Sequence, residues 1–257
     1  MTYLDELLVV AFGAVFGSFG GVLYSRTLLG KSTLWGSSAC ENCGQRILWR
    51  DKLPVLSFLW LKGRCSNCNE RIPGELFLVE VITSLLFLLT YSIFHLNLIS
   101  FQLFAIAIFT TPLVLIDIKT LRLPNKLTYT LLTLVTLQLL VGVIFFKNNL
   151  NVKDLGYVIV VVTFYLLLNL LTRGNFGMGD VKLSIPLALA SSLINPASIF
   201  FSSICAFYSG GIYGLLQLLR GRRKYKVAFG PFMLFGFWVS SLLPQSTAEW
   251  VVSFWTP

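Results

Sequence analysis

The chain has 257 residues, of which 56% are hydrophobic and only 12% charged, and its mean hydropathy is +0.78. This composition excludes an ordinary soluble domain and indicates an integral membrane protein. The net charge of +9 does not indicate a nucleic-acid partner, because the basic residues fall in short loops between apolar runs, where they set membrane orientation.

Apolar runs of about 18 to 24 residues can cross about 30 Å of hydrocarbon as helices. The spans are predicted at residues 6–25, 76–94, 101–117, 127–146, 155–172 and 229–249, with two more inside residues 182–219, divided at Asn195 and Pro196. We therefore predict an all-α polytopic membrane protein with about eight transmembrane helices. Residues 1–25 lack the features of a cleavable signal peptide, so this first helix is expected to remain. Gly13, Gly17 and Gly21 recur in it at intervals of four, a pattern that predicts close packing on another membrane helix.

The basic residues predict the orientation of these helices. Four alternate loops hold 18 of the 20 Lys and Arg residues: residues 26–75, 119–126, 173–182 and 220–226. By the positive-inside rule these loops face the cytoplasm. We divide the chain into a first transmembrane helix (residues 1–25), a cytoplasmic loop domain (residues 26–75) and a membrane-embedded core (residues 76–257).

The long loop after the first helix contains four cysteines in two pairs. Cys40 and Cys43 form one CxxC motif, and Cys65 and Cys68 form another, with 21 residues between the motifs. Two such motifs can converge on one metal ion, and four thiolates suit structural Zn²⁺. A reducing cytoplasm disfavours disulfides, although a redox pair or incidental thiols stay open as alternatives. Four ligands leave no open coordination position, so this zinc is expected to be structural.

Two aspartates lie at the edges of apolar runs. A charged side chain is energetically costly there and usually marks a functional site or a charged partner. Asp117 follows residues 101–116, and Asp180 precedes the next apolar run after residue 182. Both are predicted at the cytoplasmic membrane surface, 63 residues apart in sequence. A structural alternative is that each aspartate pairs with a nearby cation, such as Lys182, or that Asp180 caps the helix it begins.

The functional alternative is that the aspartates face each other and share a proton. Two close carboxylates do not both ionise cheaply, so one can take a proton from water while the other donates to a carbonyl oxygen. This pair would hydrolyse an amide without a metal. Gly177 and Gly179, just before Asp180, leave no side-chain bulk and permit unusual backbone angles, so a substrate strand could lie there. The alternative is a flexible helix start.

These features together resemble the type IV prepilin peptidases, bacterial intramembrane aspartic proteases of the GxGD type. Residues 115–125 are similar to the first aspartate motif of that family, and residues 174–183 to the second. The paired CxxC loop, the Val79-Glu80 pair with its following apolar run, and the Phe-Gly-Pro-Phe sequence at residues 229–232 also match. The resemblance spans nearly the whole chain.

The resemblance implies a multi-pass protein of the bacterial cytoplasmic membrane that contacts lipid and removes the short basic leader of prepilins or pseudopilins at the cytoplasmic face. It also implies N-methylation of the new N-terminus with S-adenosylmethionine. It assigns catalysis to Asp117 and Asp180, and the zinc to the four cysteines. Glu80 could bind the leader or the methyl donor, or be an interfacial cap; Lys182 could contact substrate.

The chain departs from the family pattern in the region associated with methylation. It reads Gly20-Gly21-Val22 where the family has Leu-Asn-Val, and Arg26-Thr27-Leu28 where the family has Arg-Leu-Pro. The aspartate motifs are unaffected. Two other functions stay open: a proton- or cation-coupled transporter with a zinc module, which would place its carboxylates at mid-membrane, and a methyltransferase without protease activity.

Overall fold

The computed structural model describes residues 3–31, 38–146, 152–174, 176–221 and 226–243. Within these ranges the chain is helical, with two isolated β-bridges and no strand. The helices are α1 (Tyr3–Leu28), α2 (Leu56–Trp60), α3 (Gly74–Phe94), α4 (Leu98–Thr120), α5 (Asn125–Phe146), α6 (Val152–Leu171), α7 (Met178–Ser192), α8 (Pro196–Leu219) and α9 (Gly230–Leu242). A 3₁₀ turn at Trp49–Lys52 precedes α2. The predicted all-α fold is confirmed.

The predicted count of eight membrane helices is approximate. In the described part of the chain, six helices are long and apolar enough to cross a membrane: α1, α3, α4, α5, α6 and α8. Helix α7 has 15 residues and α9 has 13. The end of the last predicted span, residues 244–249, lies outside the described residues.

The predicted break in the long apolar run is confirmed. Helix α7 ends at Ser192 and α8 begins at Pro196, which lacks the N–H needed to continue the preceding helix. The side chain of Asn195 caps α8 by accepting a hydrogen bond from the amide of Ala197 at 2.9 Å. By contrast, α4 runs unbroken through Pro112.

The chain divides into two compact units, one of residues 1–96 with 106–115 and the other of residues 97–105 with 116–257. In the first unit, α1 packs closely on α3. A Cβ atom added to Gly13 would lie 2.7 Å from the Cα of Ser84, and one added to Gly17 would lie 2.7 Å from the Cα of Glu80. The predicted packing role of the glycines in the first helix is therefore confirmed.

The second unit contains most of the large, fully buried side chains, among them Tyr165, Leu183, Ile199, Leu234 and Phe237. Helix α7 contacts α5, α6, α8 and α9, so it lies at the centre of this unit. A Cβ atom at Gly236 would lie 2.2 Å from the carbonyl oxygen of Ser202, which shows how tightly α9 packs on α8. Both aspartates of interest belong to this unit.

Candidate functional site

Asp117 lies in the last turn of α4 and is buried, with 4% of its surface exposed. Its Oδ2 atom accepts a hydrogen bond of 3.0 Å from the backbone N–H of Gly230. Gly230 is the first residue of α9, so the positive end of that helix dipole is directed at the carboxylate. This arrangement stabilises negative charge on Oδ2.

Asp180 is the third residue of α7 and is 8% exposed. The N-cap of α7 is Gly177, and no side-chain cap hydrogen bond is formed there, although Asp180 lies in the first turn, where the helix dipole favours a negative group. The carboxyl groups of Asp117 and Asp180 are within electrostatic range of each other. The fold therefore brings both predicted carboxyls to one buried site, from the end of one helix and the start of another.

Glycines lie directly against both carboxyl groups. A Cβ atom at Gly230 would be 2.7 Å from Oδ2 of Asp117, and one at Gly177 would be 2.9 Å from Oδ2 of Asp180. A Cβ atom at Gly179 would be 3.1 Å from the Cβ of Leu123. At Gly177 and Gly230 a Cβ atom would force a neighbouring group to move, since real Cβ atoms essentially never show contacts below 3.0 Å, whereas at Gly179 the contact would be tight but possible.

The expectation of unusual backbone angles is correct for only part of this glycine-rich stretch. Gly174 has a φ of +80°, a left-handed conformation that glycine adopts readily. Gly177 has φ −63° and ψ 129°, which any residue can adopt. Asn175, between them, lies outside the described residues.

Two phenylalanines fix the starts of α7 and α9 beside each other. Phe176 precedes Gly177 and Phe229 precedes Gly230, and the two rings pack with centroids 5.3 Å apart. Phe207 adds a second contact to Phe229 at 5.1 Å. Edge and tilted ring pairs of this kind add stability beyond their buried area. The aromatic contacts therefore hold the two helix starts where their glycines meet the carboxyls.

The backbone of Phe176 is also fixed from α6 and the turn after it. The side-chain amide of Asn169, which is buried, donates to the carbonyl oxygen of Phe176. The backbone N–H of Phe176 donates to Oγ1 of Thr172 at 3.0 Å. Both polar groups of this residue are therefore satisfied within the apolar bundle, as buried backbone groups must be.

Lys182, a candidate substrate contact, binds to side chains of α5. Its Nζ atom donates a hydrogen bond of 3.0 Å to Oδ1 of Asn125 and lies 5.6 Å from the ring centroid of Tyr129, a cation–π distance. The alternative in which Lys182 forms an ion pair with Asp180 is not found among the described residues.

Sequence reasoning missed Gly230, Leu123, Phe176 and Phe229 as parts of this site. Gly230 is 113 residues from Asp117 along the chain, so no local pattern connects them. The dipeptide Phe-Gly stands before α7 and at the start of α9, but it occurs four more times in the chain and therefore gives no specific signal.

The second candidate site lies in the first unit, where the four cysteines of the two CxxC motifs meet. The Sγ atoms of Cys40, Cys43, Cys65 and Cys68 all lie within 4.8 Å of one another. All four thiols are free, and Sγ of Cys40 is 3.8 Å from Sγ of Cys68. Four sulfur atoms in so small a space could hold one metal ion.

The two CxxC motifs have the same backbone hydrogen bonds. In the first, the N–H of Cys40 donates to the carbonyl of Gln45 at 2.9 Å; in the second, the N–H of Cys65 donates to that of Glu70 at 2.8 Å. The fourth residue after each leading cysteine, Gly44 or Asn69, has a positive φ of 68° or 58°. Two equivalent turns thus present their thiols to one point.

Hydrogen bonds from the polypeptide favour the metal-binding thiolate form at two of the four cysteines. A hydrogen bond from the backbone of Gln45, together with one from the side chain of Asn67, lowers the pKa of Cys43 to about 6. Backbone hydrogen bonds from Cys68 and Asn67 likewise lower the pKa of Cys65 below its usual value. Hydrogen bonds to sulfur stabilise the charged form, so the turns prepare these two ligands before an ion arrives. At Cys68, a backbone hydrogen bond from Glu70 lowers the pKa, but burial and the neighbouring cysteine side chains raise it overall to about 11.

Glu80 forms its hydrogen bonds with other residues of the first unit. Its Oε2 atom accepts a hydrogen bond of 2.7 Å from the backbone N–H of Val55, and its carboxyl also interacts with the side chain of Ser18. Val55 has a positive φ of 63°, an unfavourable conformation for a β-branched residue, and it precedes α2. The hydrogen bond holds the residue that precedes α2; a role in binding the leader or the methyl donor stays a prediction.

Two family models match the chain. The model described as the bacterial peptidase A24 N-terminal domain matches residues 11–94, and that of the type IV leader peptidase family matches residues 103–215. The first contains the four cysteines, and the second contains both aspartates. No solved structure matches the chain.

Several curated relatives carry the name prepilin leader peptidase/N-methyltransferase. The protein of Pectobacterium carotovorum subsp. carotovorum is 31% identical over 79% of this chain and 72% of its own length. That of Dichelobacter nodosus is 32% identical over 80% and 71%, and that of Bacillus subtilis (strain 168) is 27% identical over 96% of both chains. The similarity therefore extends over both candidate sites.

Proposed function

Because the chain belongs to the type IV leader peptidase family, we propose that Asp117 and Asp180 cleave the leader peptide of prepilins or prepilin-like proteins. The observation that carries this proposal is the meeting of the two carboxyls in one buried site, each against a glycine at a helix start. A buried pair of acids is costly in a membrane protein and marks a functional site.

The proposed reaction is hydrolysis of one peptide bond by water. The ionised carboxylate removes a proton from water, whose oxygen attacks the carbonyl carbon, while the protonated carboxyl donates to the carbonyl oxygen. The tetrahedral intermediate then collapses, the C–N bond breaks, and the departing nitrogen receives a proton. The products are the leader with a new carboxylate and the mature chain with a new amino terminus.

The hydrogen bond from Gly230 supports different starting roles for the two aspartates. The amide at the start of α9 stabilises negative charge on Asp117, so Asp117 begins as the base. Asp180 is buried and, among the described residues, receives no comparable hydrogen bond, so it begins as the acid. The roles exchange when the intermediate collapses.

The substrate backbone is proposed to lie along the start of α7, beside Gly177 and Gly179. A β-branched or bulky residue at either position would fill the space against Asp180 or Leu123. Lys182 projects near the same turn but is held by Asn125; we retain it as a secondary contact to the substrate, one turn from the scissile bond.

The test is leader removal by the intact protein in membranes. We expect Asp117→Asn and Asp180→Asn each to abolish cleavage, because an amide neither takes the proton from water nor supplies the acid. Asp154→Asn is the matched control, since Asp154 lies in the first turn of α6. Mass spectrometry of a co-expressed prepilin gives the readout. Undiminished cleavage by either dyad variant, with the control also active, would rule the dyad out.

The cysteine cluster is proposed to hold one structural Zn²⁺. Its support is the set of four thiols within 4.8 Å and the matching turns that present them. When bound, zinc would supply the cross-link that folds the loop, which has a small core of its own. The four cysteines complete the coordination shell, so no catalytic step is assigned to this ion.

N-methylation of the new amino terminus is proposed as a second activity, with S-adenosylmethionine as the methyl donor. The support is the name that the curated relatives share, prepilin leader peptidase/N-methyltransferase. The same mass spectrum reports it, as one added methyl group on the mature chain. Leader removal without added mass would overturn this second activity and leave the peptidase proposal standing.

The chain is a multi-pass membrane protein, and we place it in the bacterial cytoplasmic membrane with both sites facing the cytoplasm. The distribution of basic loops supports this orientation. The transporter hypothesis is not supported, because the matching family models are those of peptidases.

A further inference from the structure

The loop between α1 and α3 was expected to be polar, but its 48–62 segment exposes large apolar side chains. Those at least 41% exposed are Leu48, Trp49, Leu53, Leu56, Leu59 and Trp60, and Trp49 reaches 79%. Six exposed apolar side chains in so short a stretch form more than the scattered residues of an ordinary protein surface. This segment therefore needs a covering surface.

Two contacts hold this segment at the start of α3. Phe58 of α2 stacks on Phe77 with ring centroids 4.7 Å apart, and Val55 donates its N–H to Glu80. Phe77 and Glu80 lie on one face in the first two turns of α3, so α2 rests within about 10 Å of the start of that helix along its axis. Because α3 is a membrane span, α2 lies at the depth of the membrane boundary.

The exposed charges of the segment and its immediate C-terminal neighbour are all positive. Arg50, Lys52, Lys62 and Arg64 are exposed. The one acid in this stretch, Asp51, has a side chain only 5% exposed and accepts a hydrogen bond of 2.7 Å from the hydroxyl of Ser66. The negative charge is therefore turned inward, and the surface presents cations beside apolar and indole side chains.

We propose that the 48–62 segment docks on the anionic lipid surface of the bilayer, with Trp49 and Trp60 in the headgroup region. Tryptophan side chains concentrate at this level of a membrane, and lysine and arginine bind anionic headgroups there. The depth set by Phe77 and Glu80 places the apolar side chains where acyl chains begin. The docked segment would fix the cysteine loop against the membrane as an interfacial anchor.

Site-specific photocrosslinking tests this proposal in the full chain. The photoreactive amino acid p-benzoyl-phenylalanine is introduced at position 49 or 60, with exposed position 41 in the first CxxC motif as the matched control. The protein is reconstituted in nanodiscs of phosphatidylcholine with or without phosphatidylglycerol. We expect lipid adducts at 49 and 60 to exceed those at 41 several-fold, and phosphatidylglycerol to increase them.

The charge contribution is tested with the double variant Lys52→Glu, Lys62→Glu. Both side chains are exposed, so the fold should be unaffected, and the increase caused by phosphatidylglycerol should disappear while adducts in phosphatidylcholine alone remain. Lipid adducts at 49 and 60 no more frequent than at 41 would overturn the proposal. So would a protein adduct as the main product at either position, which would assign the segment to a protein partner, or a phosphatidylglycerol effect that persists in the double variant.

Discussion

Glycine makes close contacts in both units of the molecule, but the atoms opposite it differ. In the first unit, Gly13 and Gly17 of α1 face the backbone of α3. In the second unit, Gly177 and Gly230 face the carboxyl oxygens of Asp180 and Asp117. In the first unit the absent side chain brings two helices together. In the second unit these two glycines give room to reactive groups, although Gly236 of the same unit packs against backbone as the glycines of α1 do.

This contrast shows why glycine spacing alone does not identify a site. The interval of four in α1 and the glycines before Asp180 both read as patterns of small residues. The role of each glycine depends on the group that the fold places next to it. That group is the backbone of another helix for the glycines of α1 and a carboxyl group for Gly177. Substitution of Gly17 should therefore lower the thermal midpoint, whereas substitution of Gly230 should lower kcat.

Metal removal gives the largest expected effect in the first unit. Cys65→Ser should reduce the zinc content from about one ion to none, because three thiolates hold a structural zinc far more weakly than four. Metal analysis of the purified protein measures this directly. Cys205→Ser is the matched control, since Cys205 lies in α8 outside the cluster. Protein that carries no zinc before any substitution would contradict the proposed cofactor.

In the second unit, Gly230→Ala adds a single methyl group and is expected to lower kcat strongly. The new Cβ would stand 2.7 Å from Oδ2 of Asp117, so the carboxylate must move, and misplacement of a catalytic group by about 1 Å can cost about 10²-fold in rate. We expect kcat to fall by about that factor with little change in thermal stability. Gly211→Ala is the control, because nothing lies within 4 Å of its Cβ position; equal kcat values in the two variants would count against the assigned geometry.

Gly17→Ala should affect stability instead of chemistry. Its Cβ would stand 2.7 Å from the Cα of Glu80, and overpacking of this kind costs about 1 to 3 kcal/mol. We expect a lower thermal midpoint, with the kcat of the protein that stays folded unchanged. A lower kcat in Gly17→Ala, with a thermal midpoint equal to that of wild type, would contradict the packing role assigned to Gly17.

Lys182→Met gives the smallest expected effect. Its hydrogen bond to Asn125 is exposed, so its loss should change stability by less than about 1 kcal/mol. If Lys182 contacts substrate away from the scissile bond, KM should rise several-fold with kcat unchanged, which is the sign of lost uniform binding. Lys126→Met is the control on the neighbouring turn, and an unchanged KM in Lys182→Met would remove this residue from the substrate site.

Much of the fold could be predicted from sequence because membrane helices are specified locally. Length and hydropathy identify the spans, and Pro196 with the preceding asparagine identifies the break between α7 and α8. The short helix α2 could not be predicted in this way. Its five residues are too few to be stable alone, and distant contacts from Phe77 and Glu80 hold it in place.

The candidate sites could be predicted in part for the same reason. The cysteines and the two aspartates are recognisable because thiol pairs and membrane carboxylates are rare and chemically specific. Gly230 and Leu123 could not be recognised, since their part in the site depends on which helix ends meet. Sequence alone also left open whether Lys182 pairs with Asp180, because the residue that accepts its hydrogen bond, Asn125, lies on another helix.

The most direct test of the aspartate pair is the pH dependence of kcat/KM for leader cleavage, measured with a substrate that does not titrate in the range used. The pair is active only when one carboxyl is ionised and the other protonated, so acid protonates the base and alkali deprotonates the acid. We predict a bell-shaped profile that falls on both sides of its maximum. A rate that rises with pH to a plateau and does not fall would require no protonated carboxyl, and would contradict the shared-proton mechanism.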